Sequence, residues 1–239
     1  VETLKDLCRY AEIGIVSGSD YDYIMQQCGF LTTQDEIKLR LHILPCNGTK
    51  HCAPPPYKTG SHKIGFKKDM RKELGDGDFQ KIMKKLIDYQ NHIVSHYDIP
   101  LTGHYISYRG SMINWCPIGR NGLNHDREKF SNFDKSFGTS TFRRTVLEQL
   151  REEFTNARIP VAIKLGGETS FDIYPNGWNK TFALAHFPDY EIYFLGDRCG
   201  DNGNDKEIFD ALQPHKSFWV DGPTHTKEIL EQIIIPRIK

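Results

Sequence analysis

GGETSFDIYPNGWNK (Gly166 to Lys180) is followed shortly by IYFLGDRCGDNGND (Ile192 to Asp205), and these two stretches decide the fold. Each is an apolar strand that ends in a loop of glycine, acid, amide and base. Ile192 to Leu195 is a short continuous apolar run of the kind buried on both faces of a parallel sheet, and it stops at Gly196-Asp197. Open α/β sheets bind ligands at the carboxyl ends of their strands. The loop Gly200-Asp201-Asn202-Gly203-Asn204-Asp205 permits tight turns, and Asn204 or Asp205 can cap the helix that starts at Lys206. Oxygen donors of this type suit a hard cation such as Mg²⁺, so the stretch reads as a site for phosphate and a metal.

Working outward, the pattern after Lys180 is helix (Thr181 to Phe187), strand (Glu191 to Leu195), helix (Lys206 to Leu212), strand (Ser217 to Val220) and helix from Thr224. Near the start, Ile13-Gly-Ile-Val16 is a buried strand running into Ser17-Gly18-Ser19-Asp20 and a helix near Tyr23. Cys46 to Gly60, with Pro54-Pro55-Pro56, reads as a hinge or linker. Beyond it Phe79, Ile82, Met83, Leu86, Ile87, Val94 and Tyr97 recur at helical spacing behind an Asp78 cap, and Phe142, Val146, Leu147, Leu150 and Phe154 do the same. Short β-like runs at 105–108, 112–115, 161–165 and 170–174 predict an antiparallel sheet covered by those helices. The expected fold class is α/β: a core in two parts, residues 1–60 and 178–239, with an α/β unit inserted at 61–177.

Composition agrees with a folded enzyme. Lys+Arg and Asp+Glu balance at 31 each, which removes any net basic charge for nucleic acid or an anionic membrane. No apolar run reaches the roughly 18 residues that span a bilayer, and Val1 onward does not read as a signal peptide, so the expectation is cytoplasmic. Six cysteines without CxxC pairs suit reduced thiols. Cys46, His51 and Cys52 lack a further ligand at zinc spacing, and His92 and His96 lack a third.

Taken with YRGSMINWCPIGR (Tyr108 to Arg120), the two opening stretches resemble eukaryotic-type phosphomannomutases of the haloacid dehalogenase superfamily. The resemblance runs from about Tyr105 to the C-terminus, and IGIVSGSDYDYI (Ile13 to Ile24) resembles the family's second motif, while Phe30 to Asp78 matches poorly. It implies a haloacid dehalogenase-like Rossmannoid core with an inserted cap. It further implies Mg²⁺ as cofactor, hexose 1,6-bisphosphate as intermediate, sugar phosphates as substrates, and a homodimer joined through the caps that feeds GDP-mannose synthesis for glycosylation. The family opens with an Asp-x-Asp-Gly-Thr loop holding the phosphoryl acceptor and the acid/base. That loop occurs nowhere in this sequence, and neither Asp20-Tyr-Asp22 nor Asp76-Gly-Asp78 follows a strand in the required way. Loss of a central strand would expose buried neighbours and unpaired backbone groups, so an incomplete or clipped chain is expected.

The resemblance distributes roles residue by residue. Ser17 or Ser19 would donate to the transferring phosphoryl group, or else cap a helix. Lys180 would balance charge around the acceptor. Asp197 is the leading metal ligand, joined by Asn204 and Asp205. Arg109, Arg120 and Arg127 would hold the non-reacting phosphate, to which a guanidinium offers a planar fork of donors. Ser170 and Asp172, facing one way on a strand, would bind phosphate and sugar hydroxyls; Asp172 has salt-bridge partner as its plainer reading. The sequence departs from the family at Asn176 and Asn179, where Asp is usual, at Arg198 for Lys, and at Cys46 for Glu. The expected activity is therefore interconversion of mannose 6-phosphate and mannose 1-phosphate. Its rivals are a catalytically inactive sugar-phosphate-binding relative and a capped sugar phosphatase.

Overall fold

The computed structural model describes residues 1–201 and 203–239, so Asn202 of the glycine-rich loop lies outside the described residues. In chain order the elements are α1 (Glu2–Leu7), β1 (Ile13–Val16), α2 (Tyr21–Cys28), α3 (Asp35–Lys38), β2 (Leu41–Leu44), β3 (Lys50–Ala53), β4 (Lys63–Lys67), α4 (Met70–His96), β5 (Ile106–Tyr108), β6 (Ile113–Trp115), α5 (Asn124–Lys135), α6 (Phe142–Asn156), β7 (Val161–Gly166), β8 (Ser170–Pro175), β9 (Phe194–Gly196), α7 (Lys206–Ala211), β10 (Ser217–Trp219), α8 (Pro223–Ile229) and α9 (Ile235–Ile238). The chain divides into two compact units, one of Val1–Lys68 with Trp178–Lys239, the other of Asp69–Gly177.

The first unit is α/β. Its strands form one sheet in the order β1-β2-β3-β4 and a second pair β10-β9. β1 runs parallel to β2, and β10 parallel to β9, the arrangement that needs helical crossovers on the sheet faces. Leu41 to Leu44 are buried at every position, as expected of a strand covered on both sides. Ile13 of β1 and Leu195 of β9 pack against the same apolar cluster, built on Leu7, Leu230, Ile234 and Ile235. The helix after Gly222 passes through a π-helical turn at Leu230–Ile234 on its way into α9.

The hinge expected at Cys46 to Gly60 is corrected. Cys46–Gly48 is a buried 3₁₀ turn, Lys50–Ala53 pairs with both β2 and β4, and Lys63–Lys67 therefore belongs to the first unit. The boundary falls after Lys68 rather than at Ser61 because β3 and β4 share a ladder across the proline run. Prolines marked the loop correctly, but a hairpin loop and an interdomain linker have the same composition.

The second unit is an antiparallel sheet in the order β5-β6-β8-β7. Register places Trp115 opposite Phe171 and Ile113 opposite Ile173, while Asn114 stands opposite Asp172. Strand alternation sends the first group to one face and the second to the other. On the apolar face Trp115 stacks on Phe171 at 4.9 Å, and its indole Nε1 donates to Gln90 of α4 at 2.8 Å. α6 buries Phe142, Val146, Leu147, Leu150 and Phe154, the five positions its spacing predicts. α4 differs. It starts at Met70 behind Asp69, which accepts from Arg71 and Lys72, and breaks its helical dihedrals at Gly75. Its buried stripe is Phe79, Ile82, Leu86 and Ile93, whereas Ile87 and Val94 are exposed.

Phe171 is fully buried between Trp115 and the strands beside it. Phe171→Ala is expected to cost about 3–5 kcal/mol through lost transfer energy and the residual cavity, measured by urea unfolding.

Candidate active site

In the first unit the loop after β1 is pinned by a left-handed turn. Cys46, Asn47 and Gly48 have φ of 52°, 63° and 84°, a conformation that L side chains adopt only against steric cost. The turn is held from two sides. Cys46 and Asn47 donate their backbone N–H groups to Ser19 and Ser17 carbonyls at 2.9 and 2.8 Å, and Asn47 Nδ2 donates to the Trp178 carbonyl at 3.1 Å. A Cβ at Gly48 would lie 2.7 Å from the Ala183 backbone, so only glycine fits there. Neither serine caps α2. Asp20 does so, accepting from Tyr23 at 3.0 Å, while Ser17 Oγ accepts from the Ser19 N–H at 3.1 Å.

Trp178 leads into the 3₁₀ segment Lys180–His186, whose first N–H groups are capped by Asn179. An amide oxygen caps as a carboxylate does, so the departure at Asn179 leaves the segment's start intact. Lys180 and Asp205 are both buried and form an ion pair, Nζ to Oδ1. The second carboxylate oxygen of Asp205 accepts from the Arg198 N–H at 3.1 Å. Asp205 stands at the N-cap position of α7 without capping it by its side chain, because both oxygens are engaged elsewhere. Gly203 makes the approach possible: a Cβ there would fall 1.9 Å from the Arg198 carbonyl oxygen.

Asp197 is exposed at the end of β9, and Trp219 Nε1 donates to its carbonyl at 3.0 Å. Asn204 Oδ1 is buried and has no hydrogen-bond partner among the described residues. An acceptor in that state wants a donor or a cation. Among the described residues no group of three or more His, Cys, Asp or Glu side chains is arranged to hold a metal, and in the expected set of Asp197, Asn204 and Asp205 the third donor would be the amide oxygen of Asn204. All three offer oxygen, which fits Mg²⁺ and not a soft metal. Burial pushes the Cys8, Cys52 and Cys199 thiols up to about 11, which leaves them protonated and weak as nucleophiles.

Behind this site runs a chain that the sequence did not announce. Glu12 Oε2 meets His42 Nε2 at 2.8 Å, His42 Nδ1 meets His51 Nε2 at 2.8 Å, His51 packs on His186 with ring centroids 4.5 Å apart, and His186 Nε2 donates to the Gly48 carbonyl at 2.7 Å. Burial, reinforced by His186 and His42, lowers the His51 pKa to about 4.

The polar face of the second unit collects most of the remaining candidates. Register sets Ser107, Asn114, Asp172 and Lys164 in one row across all four strands. Asn114 Nδ2 donates to Asp172 Oδ1 at 2.8 Å and to Ser170 Oγ at 3.0 Å, and its Oδ1 accepts from Arg120 at 3.0 Å. Arg109, buried at the end of β5, approaches Asp172 at 4.0 Å. Arg120, Ser170, Asp172 and Arg109 are thus gathered. Arg127 stands apart from that network, since its guanidinium donates to the carbonyls of Gly122 and Arg120 at 3.1 and 3.5 Å and so braces the loop bearing Arg120. Asn114 and Lys164 were missed by sequence reasoning. The available signal for Asn114 was an amide in the middle of the apolar run Met112 to Trp115, where a buried polar side chain must have partners.

An α/β core with an inserted antiparallel unit is the architecture of the capped haloacid dehalogenase fold. The structure superposes on an N-terminally truncated IMP-nucleotidase of Plasmodium falciparum with a TM-score of 0.63 at 14% identity, covering 100% of this chain and 64% of that one. The sequence matches the family model for eukaryotic phosphomannomutase over residues 1–236. It is 34% identical to phosphomannomutase 1 of Dictyostelium discoideum across 96% of this chain and 86% of that protein. Against the phosphomannomutase of Arabidopsis thaliana it is 33% identical over 88% of this chain and 78% of the relative. The chain belongs to the eukaryotic phosphomannomutase family.

Two outcomes test the local energetics. Lys180→Met strands the buried Asp205 carboxylate and is expected to cost about 3–5 kcal/mol in urea unfolding, most of it regained in the double variant with Asp205→Asn. His51 is neutral in the folded chain and takes a proton only when unfolded between about pH 4 and the usual histidine value of 6.5, so stability should fall as pH drops through that window. His51→Gln is expected to remove on the order of 2–3 kcal/mol of that pH dependence, leaving the smaller part owed to His62, which burial also lowers.

Proposed function

We propose that this chain acts as a phosphomannomutase, interconverting mannose 6-phosphate and mannose 1-phosphate through an aspartyl-phosphate and a hexose 1,6-bisphosphate that reorients between half-reactions. The family match across residues 1–236 carries this reading. The aspartate pair that the family resemblance requires is not among residues 1–239, and the roles that follow belong to side chains that are.

A mutase must bind phosphate at both ends of one sugar, and remote binding energy then aligns the reacting end. In this reading Arg109 and Arg120, with Ser170, take the non-reacting phosphate, Arg127 joins them while shaping their loop, and Asp172 accepts from a sugar hydroxyl. Ser17 or Ser19 donates to the phosphoryl group in transfer. Lys180, already fixed by Asp205, offsets negative charge beside the acceptor. Asp197, Asn204 and Asp205 would hold Mg²⁺, which when bound neutralises a phosphoryl oxygen and fixes its direction. Asn204 supports this placement because its buried oxygen has no hydrogen-bond partner among the described residues.

Among the described residues no helix is long and apolar enough to cross a membrane. The same reading places the protein in the cytoplasm, supplying mannose 1-phosphate to GDP-mannose synthesis, as a homodimer joined through the second unit. Ile87 and Val94, seven positions apart on the outer face of α4 and both exposed, offer apolar surface for that contact.

The test incubates the protein with mannose 1-phosphate, hexose 1,6-bisphosphate and Mg²⁺. Mannose 6-phosphate without free phosphate is expected, with activity abolished by EDTA and restored by excess Mg²⁺. Free phosphate alone would assign a phosphatase. Binding of mannose 1-phosphate with no turnover would assign an inactive relative.

A further inference from the structure

We infer that Asn114 is a positioning residue for the phosphate-binding face of the second unit, an inference that rests on the sugar-phosphate reading above. Its side chain sits in the middle strand pair, 3% exposed, with an arginine on one side and an aspartate on the other. A guanidinium can only donate and a carboxylate can only accept, so the amide has one orientation that satisfies both: Oδ1 to Arg120 and Nδ2 to Asp172 and Ser170. No other side chain of this size does this. Aspartate in its place would pair with Arg120 but face Asp172 as a like charge, and leucine would leave three polar partners without their contact.

The amide also bridges the unlike charges. Arg120 and Asp172 each meet the Asn114 dipole, the guanidinium through Oδ1 and the carboxylate through Nδ2. Register adds a second constraint. Asn114 is opposite Asp172 in the ladder and two residues from Trp115's neighbour Cys116, whose thiol contacts the Gly119 carbonyl at 3.3 Å just before Arg120. One strand position therefore sets the distance between the residue that binds a phosphate and the residues that bind the sugar. Asn114 need not touch the ligand to do so.

The test compares Asn114→Leu, Asn114→Asp and, as a control, Gln90→Ala. Gln90 holds the same strand from its apolar face through Trp115, so its loss loosens the sheet without entering the polar network. Calorimetric Kd for mannose 6-phosphate and the KM and kcat of the mutase assay are read on each, beside the thermal midpoint. Both Asn114 variants are expected to raise Kd and KM about 10- to 100-fold, the loss of hydrogen bonds to charged groups, with kcat changed by no more than about threefold. Gln90→Ala should lower the thermal midpoint and leave Kd and KM in place. Unchanged Kd and KM in the Asn114 variants would overturn the inference, as would an equal rise in Gln90→Ala. Wild-type protein that binds the sugar phosphate without isomerising it would refute the mutase reading while the Kd comparison still decides the role of Asn114. Wild-type protein that binds none would overturn both.

Discussion

A charge taken out of water must meet an opposite charge or a dipole aimed at it, and this constraint organises both units. In the first, Lys180 and Asp205 are buried together, and the remaining oxygen of Asp205 is met by a backbone N–H. That arrangement fixes the 3₁₀ segment after Trp178 to the loop before α7, two segments far apart in sequence. In the second unit Asp172 is buried between the Asn114 amide and the buried Arg109 guanidinium, 4.0 Å away. Each network ties together loops whose own backbone conformations are otherwise weakly specified.

Backbone geometry then decides which residue types are tolerated around those networks. Three successive left-handed residues at 46–48 persist because Ser17, Ser19, Trp178 and His186 all bond to the turn, and such over-determination is what holds a strained segment in place. The turn is thereby part of the site although none of its side chains is a catalytic candidate. Cys46, where the family has Glu, is buried, so the position presents a small apolar side chain to the interior.

The sequence was legible where local periodicity and burial agree. α6 buries the residues its spacing selected, and β1, β6, β7 and β8 lie within a residue or two of their expected ends. It was illegible from Phe30 to Lys68, where β2, β3 and β4 assemble from short segments whose pairing is nonlocal and whose loop carries three prolines. α4 was misread at its start because Asp78 and Asp69 are equally good caps on composition, and the helix, interrupted at Gly75, begins behind the earlier one. The candidate residues of the sequence are those a motif names. Asn114, Lys164 and the Glu12–His42–His51–His186 chain are not among them, since an amide in a strand and histidines spread over the chain have no local pattern; only the register of the sheet and the packing of the turn bring them together.

The two polar clusters differ in composition. In the first unit Lys180 is paired with Asp205, and Asn204, next to Asp205 in the chain, has a buried amide oxygen. On the polar face of the second unit, Arg120 meets Asn114, Arg109 approaches Asp172, and Lys164 stands opposite Asp172 in the register. Oxygen acceptors suit a cation, and guanidinium donors suit an anion. An amide at position 114 bonds the guanidinium and the carboxylate without adding a charge, where an aspartate would set a second negative group against Asp172.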